Sequence, residues 1–361
     1  MTTGRARFVP LLVTAIERLT PDAVAVTLAP PEGAAEWFSF TPGQYLTFRR
    51  VIDGEEVRRS YSICADPAEG VLRVAIKRVP GGRFSSWANE KLAPGEILEA
   101  MPPEGAFTFE PDPTRERTVL AIAAGSGITP ILSIATTLLR AEPRSHLVLL
   151  YGNRTREDIM FKRALEDLKD RHLGRFALVH LLSREAVELP VLHGRIDRAH
   201  LEAVLPRLAP PETVDATYIC GPAGLPEEAS ATLLAMGLSA ERIFVERFTP
   251  VEGATPPRRD QPVAPDAPRV ATVRVTLDGI SREIGMAPGE TVLEAILRAG
   301  IDAPWSCRAG MCCTCRAKLG EGAVAMDQNY SLRDWELEAG YVLTCQSRPK
   351  TDRLAVDYDA A

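Results

Sequence analysis

Cys307-Arg308-Ala309-Gly310-Met311-Cys312-Cys313-Thr314-Cys315 is the stretch on which the reading of this chain turns. Four of the seven cysteines fall within it, and Cys345 follows at a distance. An odd count clustered in this way points to metal or redox chemistry rather than a disulfide framework. The spacing C-x4-C-x2-C with one distant cysteine is that of a [2Fe–2S] site. Such a cluster needs four thiolates, two per iron. A tight loop lets backbone N–H groups approach the sulfides, and Gly310 and the small Ala309 suit that approach. Zinc is the competing reading, but structural zinc usually takes two short Cys or His knuckles, and only one occurs here. Cys313 falls outside the ligand spacing and reads as a bystander thiol, open to oxidation.

Around the loop, residues 271–277 read as a strand and 291–299 as a helix. The region from Val270 to Tyr358 resembles plant-type ferredoxins of the β-grasp fold. That resemblance implies Cys307, Cys312, Cys315 and Cys345 as the cluster ligands.

Immediately upstream, residues 250–268 hold Pro250, Pro256, Pro257, Pro262, Pro265 and Pro268 among polar residues. Proline stiffens such a segment, which has too little apolar surface to order itself, so a tether of at most ~60 Å is expected. A solvated surface loop is the alternative. Before the tether the chain changes character near residue 112. Short runs at 24–28, 45–48, 59–63 and 72–76, punctuated by Pro42-Gly43 and Pro80-Gly81-Gly82, predict a small β-barrel. Beyond Pro113, strands at 118–123, 147–151, 176–182, 216–220 and 242–245 alternate with helical stretches such as 130–140, which predicts a parallel sheet wound with helices. The expected architecture is therefore multidomain: a β-barrel over 1–112, an α/β domain over 113–249, the linker 250–268, and an α+β ferredoxin domain over 269–361.

The 361 residues suit two or three domains. Hydrophobic residues are 45% and charged residues 25%, the balance of a soluble globular protein. A formal net charge of −6 leaves no basic surplus for nucleic acid or an anionic membrane. The opening residues lack an apolar h-region, which predicts no secretory signal, and no run of eighteen apolar residues occurs to span a bilayer. A cytoplasmic protein is expected. The five histidines form no metal spacing and are given no chemistry.

Arg59-Ser60-Tyr61-Ser62 offers a forked cation for a pyrophosphate, a flat ring for an isoalloxazine and a hydroxyl for a flavin nitrogen. Alone it would be an ordinary strand face. It is preceded by Phe40-Thr41-Pro42-Gly43-Gln44-Tyr45 and followed by Gly82-Arg83-Phe84-Ser85-Ser86-Trp87, a loop entering a helix whose free N–H groups suit a phosphate. Gly125-Ser126-Gly127-Ile128-Thr129-Pro130 follows a strand, with Thr129 expected as a helix cap and Pro130 in first helical position. It is not the G-x-G-x-x-G fingerprint, and a plain strand–helix turn is its simpler reading. Tyr218-Ile219-Cys220-Gly221-Pro222 ends another strand at the edge where such sheets bind ligands, although a lone Cys220 would more often be core. Arg154 and Ser183-Arg184 supply cations and a hydroxyl for a 2′-phosphate, where an NAD enzyme would typically place an acid; either arginine could be a solvated surface group.

Together and in this order, these segments resemble the ferredoxin–NADP⁺ reductase superfamily with a C-terminal plant-type ferredoxin. The resemblance implies FAD held by Arg59, Ser60, Tyr61, Ser62, Gly82, Arg83, Phe84 and Ser85. It places NADPH at Gly125, Ser126, Gly127, Thr129, Arg154, Ser183, Arg184, Cys220, Gly221 and Pro222. Ser62, Cys220 and Glu246 are the expected hydride-site residues. Glu246-Arg247-Phe248 matches a Glu-x-aromatic whose ring stacks on the flavin, with a core phenylalanine as the alternative for Phe248.

Lys77-Arg78-Val79-Pro80-Gly81-Gly82-Arg83-Phe84-Ser85, Tyr151-Gly152-Asn153-Arg154, Met326-Asp327-Gln328-Asn329-Tyr330 and Tyr341-Val342-Leu343-Thr344-Cys345-Gln346-Ser347 extend the likeness to the whole chain. It resembles the reductase components of bacterial phenylacetyl-CoA epoxidases, which adds Lys77 to the cofactor contacts. The implied route is NADPH to FAD to [2Fe–2S] to a di-iron oxygenase. Reductases of Rieske, steroid or acyl hydroxylases share the domain order. Phthalate-dioxygenase-type reductases also share it, with FMN and NADH. A non-catalytic flavin and iron–sulfur redox sensor is the reading from another class.

Overall fold

The computed structural model describes residues 8–248 and 270–360; the expected tether at 250–268 lies outside them. The described residues fall into two compact units, one of residues 9–57 and 61–248, the other of residues 8, 58–60 and 270–360.

The first unit opens with an antiparallel sheet of β1 (Val9–Thr20), β2 (Ala23–Ala29), β3 (Tyr45–Ile52), β4 (Glu55–Ser62), β5 (Leu72–Lys77) and β6 (Ile97–Ala100), in the order β4-β3-β6-β1-β2-β5. Val9, Leu11 and Val13 of β1 are buried while Pro10, Leu12 and Thr14 are exposed, the period-two pattern of a half-buried strand. A bridge from Ile63 to Val74, with Cys64 N donating to Arg73 O at 2.9 Å, joins the two edge strands and closes the barrel. Helix α1 (Arg83–Glu90) packs Phe84 and Ala88 into the barrel core. Strands β1 and β6 go beyond the sequence-based expectation. β1 carries Glu17 and Arg18 on a strand without turn punctuation, and β6 is only four residues long.

The second sheet is wholly parallel, built from β7 (Thr118–Ala124), β8 (His146–Asn153), β9 (Phe176–Leu182), β10 (Val214–Gly221) and β11 (Ile243–Arg247) in the order β11-β10-β7-β8-β9. Helices α2 (Ile128–Ala141) and α3 (Lys162–Arg171) contribute to one core, and α4 (Arg198–Leu208) and α5 (Leu225–Ala235) to a second. Fully apolar strands such as Val119–Ala123 are what two covered faces require. Phe107, Phe109, Ala23, Ala25 and Ala75 of the barrel side share the core of α2, so barrel and parallel sheet pack as one body. No described helix is long and apolar enough to cross a membrane.

The C-terminal unit has β12 (Ala271–Leu277), β13 (Ile280–Met286), β14 (Arg316–Glu321), the short β15 (Val324–Met326), β16 (Tyr341–Leu343), β17 (Ser347–Pro349) and β18 (Arg353–Asp357). The main sheet runs β13-β12-β18-β14-β16, with β12 parallel to β18 and its other neighbours antiparallel. Helix α6 (Val292–Arg298) is capped by Thr291, whose hydroxyl accepts from Glu294 N while Glu294 accepts from Thr291 N at 2.8 Å, a reciprocal capping box. Its Leu293 and Ile296 pack with Val273, Leu354, Cys315 and Cys345 in one core.

Candidate functional site

Strands β7 and β10 are neighbours, yet the chain leads from β7 outward to β8 on one side and from β10 to β11 on the other. Open α/β sheets take ligands beyond the carboxyl ends of strands at such a switch point. The turn Gly125–Gly127 follows β7, and Cys220 and Gly221 end β10. A Cβ on Gly127 would lie 2.1 Å from Cys220 O, and one on Gly221 would lie 2.7 Å from Leu225 Cδ2. Only glycine lets the two strand ends close into one surface, with the free N–H groups of α2 above it. This cradle fits a pyrophosphate.

The expected cap at this helix is corrected. Helix α2 starts at Ile128 with Gly127 as N-cap, so Thr129 is its second residue and Pro130 its third. Thr129 turns its hydroxyl back to Ser126 O at 3.0 Å. The helix grows directly out of the Gly125–Gly127 turn, and a proline within the first turn costs no intrahelical bond.

Ser62, Cys220 and Glu246 come together from β4, β10 and β11. Ser62 Oγ donates to Glu246 Oε2 at 3.2 Å, and Cys220 Sγ lies 3.9 Å from the same oxygen. Cys220 pairs in register with Glu246, which explains their meeting. Glu246 is half-buried. Desolvation pushes its carboxyl up to about 8 against the hydrogen bonds from Ser62 and Cys220, so it is mostly protonated at neutral pH. Desolvation likewise raises the Cys220 thiol well above its ordinary range, with the Glu246 charge adding to it, so this cysteine is no thiolate nucleophile. Phe248, just past β11, is 37% exposed.

On the barrel side, Tyr61 packs against Phe84 with ring centroids 5.6 Å apart, bringing the end of β4 to the start of α1. Gly82 is the N-cap there, and Ser85 Oγ accepts from Val79 N at 3.1 Å. The first-turn N–H groups of Arg83, Phe84 and Ser85 have no carbonyl within the helix to bond, and such a helix start suits a pyrophosphate. Arg59 is exposed, with its guanidinium donating to Arg58 O at 2.7 Å, and Ser60 is half-buried. Arg83 is held by Glu55 and Ile52 O. Lys77 is not brought to the group: its Nζ lies 3.5 Å from Asp22 in an ion pair of the barrel.

Arg154, Ser183 and Arg184 do converge. Beyond the pairing of Asn153 with Leu182, Ser183 N donates to Asn153 O at 3.0 Å and Arg184 N to Arg154 O at 2.8 Å. Both arginines are exposed, and their guanidinium groups form no ion pair among the described residues. The neighbouring Glu185 is engaged by Arg156 at 3.0 Å. Two cations beside a hydroxyl suit a phosphate.

The cysteines stand as two pairs. Cys307 N donates to Cys312 Sγ at 3.4 Å and Ala309 N to Cys307 Sγ at 3.3 Å. Cys307 is pulled down to about 6, by the Cys312 thiol first and by the N–H groups of Ala309, Met311 and Cys312, against burial. Cys345 is likewise lowered, by the Cys315 thiol first. Thr344 joins that second pair, since its N and its hydroxyl both donate to Cys315 O, at 3.2 and 2.9 Å. Among the described residues no three His, Cys, Asp or Glu close around one metal-ion position. Two thiol pairs with N–H groups on the sulfurs are the donor set of a two-iron centre. Gly310, at φ +74°, lies so near Gln328 O that a Cβ would stand 2.9 Å away, and Cys313 also takes positive φ, at 52°.

Residues the sequence patterns did not single out fix the site from behind. Ser133 Oγ donates to Ala65 O at 2.6 Å, and Arg140 Nη2 to Asp66 Oδ1 at 2.9 Å, which pins α2 to the barrel next to Ser62. Tyr151 Oη donates to Gly125 O at 2.9 Å. Partners so far apart in sequence leave no local signal. Of these residues, Tyr151 and Gly125 lay within quoted motifs, but nothing in those motifs linked them to each other.

Three family descriptions match the chain: an oxidoreductase FAD-binding domain over residues 10–109, an oxidoreductase NAD-binding domain over 121–231, and a 2Fe-2S iron-sulfur cluster binding domain over 275–350. The chain is 45% identical to one component of the 1,2-phenylacetyl-CoA epoxidase of Escherichia coli (strain K12), covering 98% of each chain. It is 33% identical to the ferredoxin reductase component of 3-ketosteroid-9-alpha-monooxygenase from Rhodococcus rhodochrous, covering 98% of this chain and 97% of that one. Among solved structures, phthalate dioxygenase reductase superimposes with a TM-score of 0.57 at 25% identity, covering 97% of this chain and 98% of that one.

Proposed function

Because this chain belongs to the family of oxygenase reductases that join FAD-binding and NAD-binding oxidoreductase domains to a 2Fe-2S iron–sulfur domain, we propose that it serves a phenylacetyl-CoA epoxidase, passing electrons from NADPH to a di-iron oxygenase component in the cytoplasm. The observation that carries the choice of acceptor is the 45% identity over 98% of both chains. The protein is an oxidoreductase of FAD, [2Fe–2S] and NAD(P)H. When bound, the flavin accepts an electron pair and releases electrons singly, and the cluster carries them one at a time.

The chain's own residues then bind and orient. Gly82, Arg83, Phe84 and Ser85, with Arg59, Ser60, Tyr61 and Ser62, hold the flavin nucleotide. Gly125, Ser126, Gly127 and Thr129, with Gly221 and Pro222, hold the nicotinamide nucleotide, and Arg154, Ser183 and Arg184 take its 2′-phosphate. Ser62, Cys220 and Glu246 shape the place where nicotinamide meets flavin. Their role is positioning, which suits a protonated carboxyl and an un-ionised thiol. Cys307, Cys312, Cys315 and Cys345 would hold the iron–sulfur cluster.

The test combines flavin extraction, iron and sulfide analysis, and cytochrome c reduction by NADPH and NADH. FAD, about two irons per chain and a lower KM for NADPH are expected. FMN, or a preference for NADH, would overturn the cofactor assignment. Zinc in place of iron would overturn the cysteine reading. Both cofactors bound without turnover would favour a redox sensor.

A further inference from the structure

Gln346 follows the last cluster cysteine and has had no part in the site so far. It is 4% exposed. Its side-chain Nε2 lies 3.4 Å from Cys345 Sγ, 2.9 Å from Arg308 O and 3.1 Å from Cys345 O. Both carbonyl oxygens can only accept, so the amide must turn its nitrogen, not its oxygen, towards them and towards the sulfur, and of its two N–H groups one is shared between Cys345 O and Cys345 Sγ. The backbone is fixed as well: Gln346 N donates to Leu343 O at 2.9 Å and Asp327 N donates to Gln346 O at 2.9 Å. Across the loop, a Cβ on Gly310 would lie 3.3 Å from Gln346 Cγ, so the missing side chain at 310 makes the room the glutamine fills.

We propose that Gln346 is a positioning residue that raises the reduction potential of the cluster by donating a side-chain N–H to the Cys345 sulfur. Hydrogen bonds to cluster sulfurs are among the terms that set such potentials. Adding an electron makes the sulfurs more negative, and a donor stabilises that state more than the oxidised one. Burial removes the competing water that would level the effect. The amide also ties Arg308 O to the Cys345 segment, so one side chain links the cysteine loop to the distant ligand. The inference rests on Cys345 being a ligand.

The experiment is a redox titration of the full-length holoprotein, followed by the EPR signal of the reduced cluster, for wild type, Gln346→Met, Gln346→Glu and Cys345→Ser. Gln346→Met keeps length and removes the N–H. At a fixed potential its reduced-to-oxidised ratio should fall about tenfold, which is ~59 mV for one electron. Gln346→Glu, which adds a negative charge, should fall further. Iron content and the stopped-flow rate of flavin reduction by NADPH should not change. An unaltered potential in a fully loaded Gln346→Met, with Cys345→Ser clearly perturbing the cluster spectrum, would overturn the tuning role alone. An unperturbed spectrum in Cys345→Ser would sink the ligand assignment and the tuning role with it. If Gln346→Met does not load its cluster, wild-type protein carrying side-chain ¹⁵N-glutamine decides. A ¹⁵N coupling to the reduced cluster is expected in pulsed EPR, and its absence would overturn the proposal.

Discussion

The Ser62 hydroxyl donates to Glu246 Oε2 across 3.2 Å, joining the last residue of β4 in the barrel to the next-to-last residue of β11 in the parallel sheet. In the proposed site the reacting rings would meet where these halves touch, so loss of this contact is expected to act on alignment. Ser133 and Arg140 of α2 hold the same boundary through Ala65 and Asp66.

Ser62→Ala should slow flavin reduction by NADPH about 10²-fold, the scale of a misplaced reactant pair, while FAD content stays near wild type. Stopped-flow absorbance of the flavin measures it. A wild-type rate would contradict the positioning role.

Glu246 has an ordinary value of 4.5, and desolvation raises it to about 8 in the fold. Between those values the unfolded chain binds fewer protons than the folded one, so stability falls as pH rises. This contribution is whole below about 4.5 and is lost as pH climbs through about 8. Denaturant unfolding of wild type and Glu246→Gln should show the wild type losing stability relative to the variant between pH 5 and pH 8.5. A constant difference would show that the carboxyl is not perturbed.

On the proposed assignment, Arg184→Ala would remove one charge-assisted donor to a 2′-phosphate, worth about 1.5–3 kcal/mol. KM for NADPH should rise roughly 10- to 100-fold, with KM for NADH nearly unchanged. An equal rise for both nucleotides would place Arg184 on a part they share, and no rise would leave it a surface residue.

Gly127→Ala places a Cβ against Cys220 O, 2.1 Å away before relaxation. Forced separation of the two strand ends should cost about 1–3 kcal/mol. It should also weaken nucleotide binding, read by thermal unfolding and by equilibrium titration with NADP⁺. Unchanged melting and binding would mean the close approach is not needed.

The parts of this protein legible in its sequence are those whose chemistry is local. Cys307, Cys312 and Cys315 sit within one loop, and the strand-to-glycine passages at Gly125 and Gly221 are contiguous, so spacing alone marks them. The pairing of Cys315 with Cys345 depends on Thr344 bonding back to Cys315 O, and no pattern announces that. Thr129 and Pro130 mimic a helix start because their types fit one, yet the turn at Gly125–Gly127 runs straight into α2 and starts it at Ile128. Lys77 shows the same limit: its motif suggested a cofactor contact, whereas Asp22, on the loop before β2, claims the charge. Long-range partners, not residue types, decide these cases.

The most direct test of the central claim mixes this protein, NADPH and O₂ with a phenylacetyl-CoA epoxidase oxygenase complex and follows phenylacetyl-CoA. Loss of substrate that requires this protein and matches NADPH oxidation is predicted. NADPH oxidation with phenylacetyl-CoA untouched would contradict the proposed acceptor.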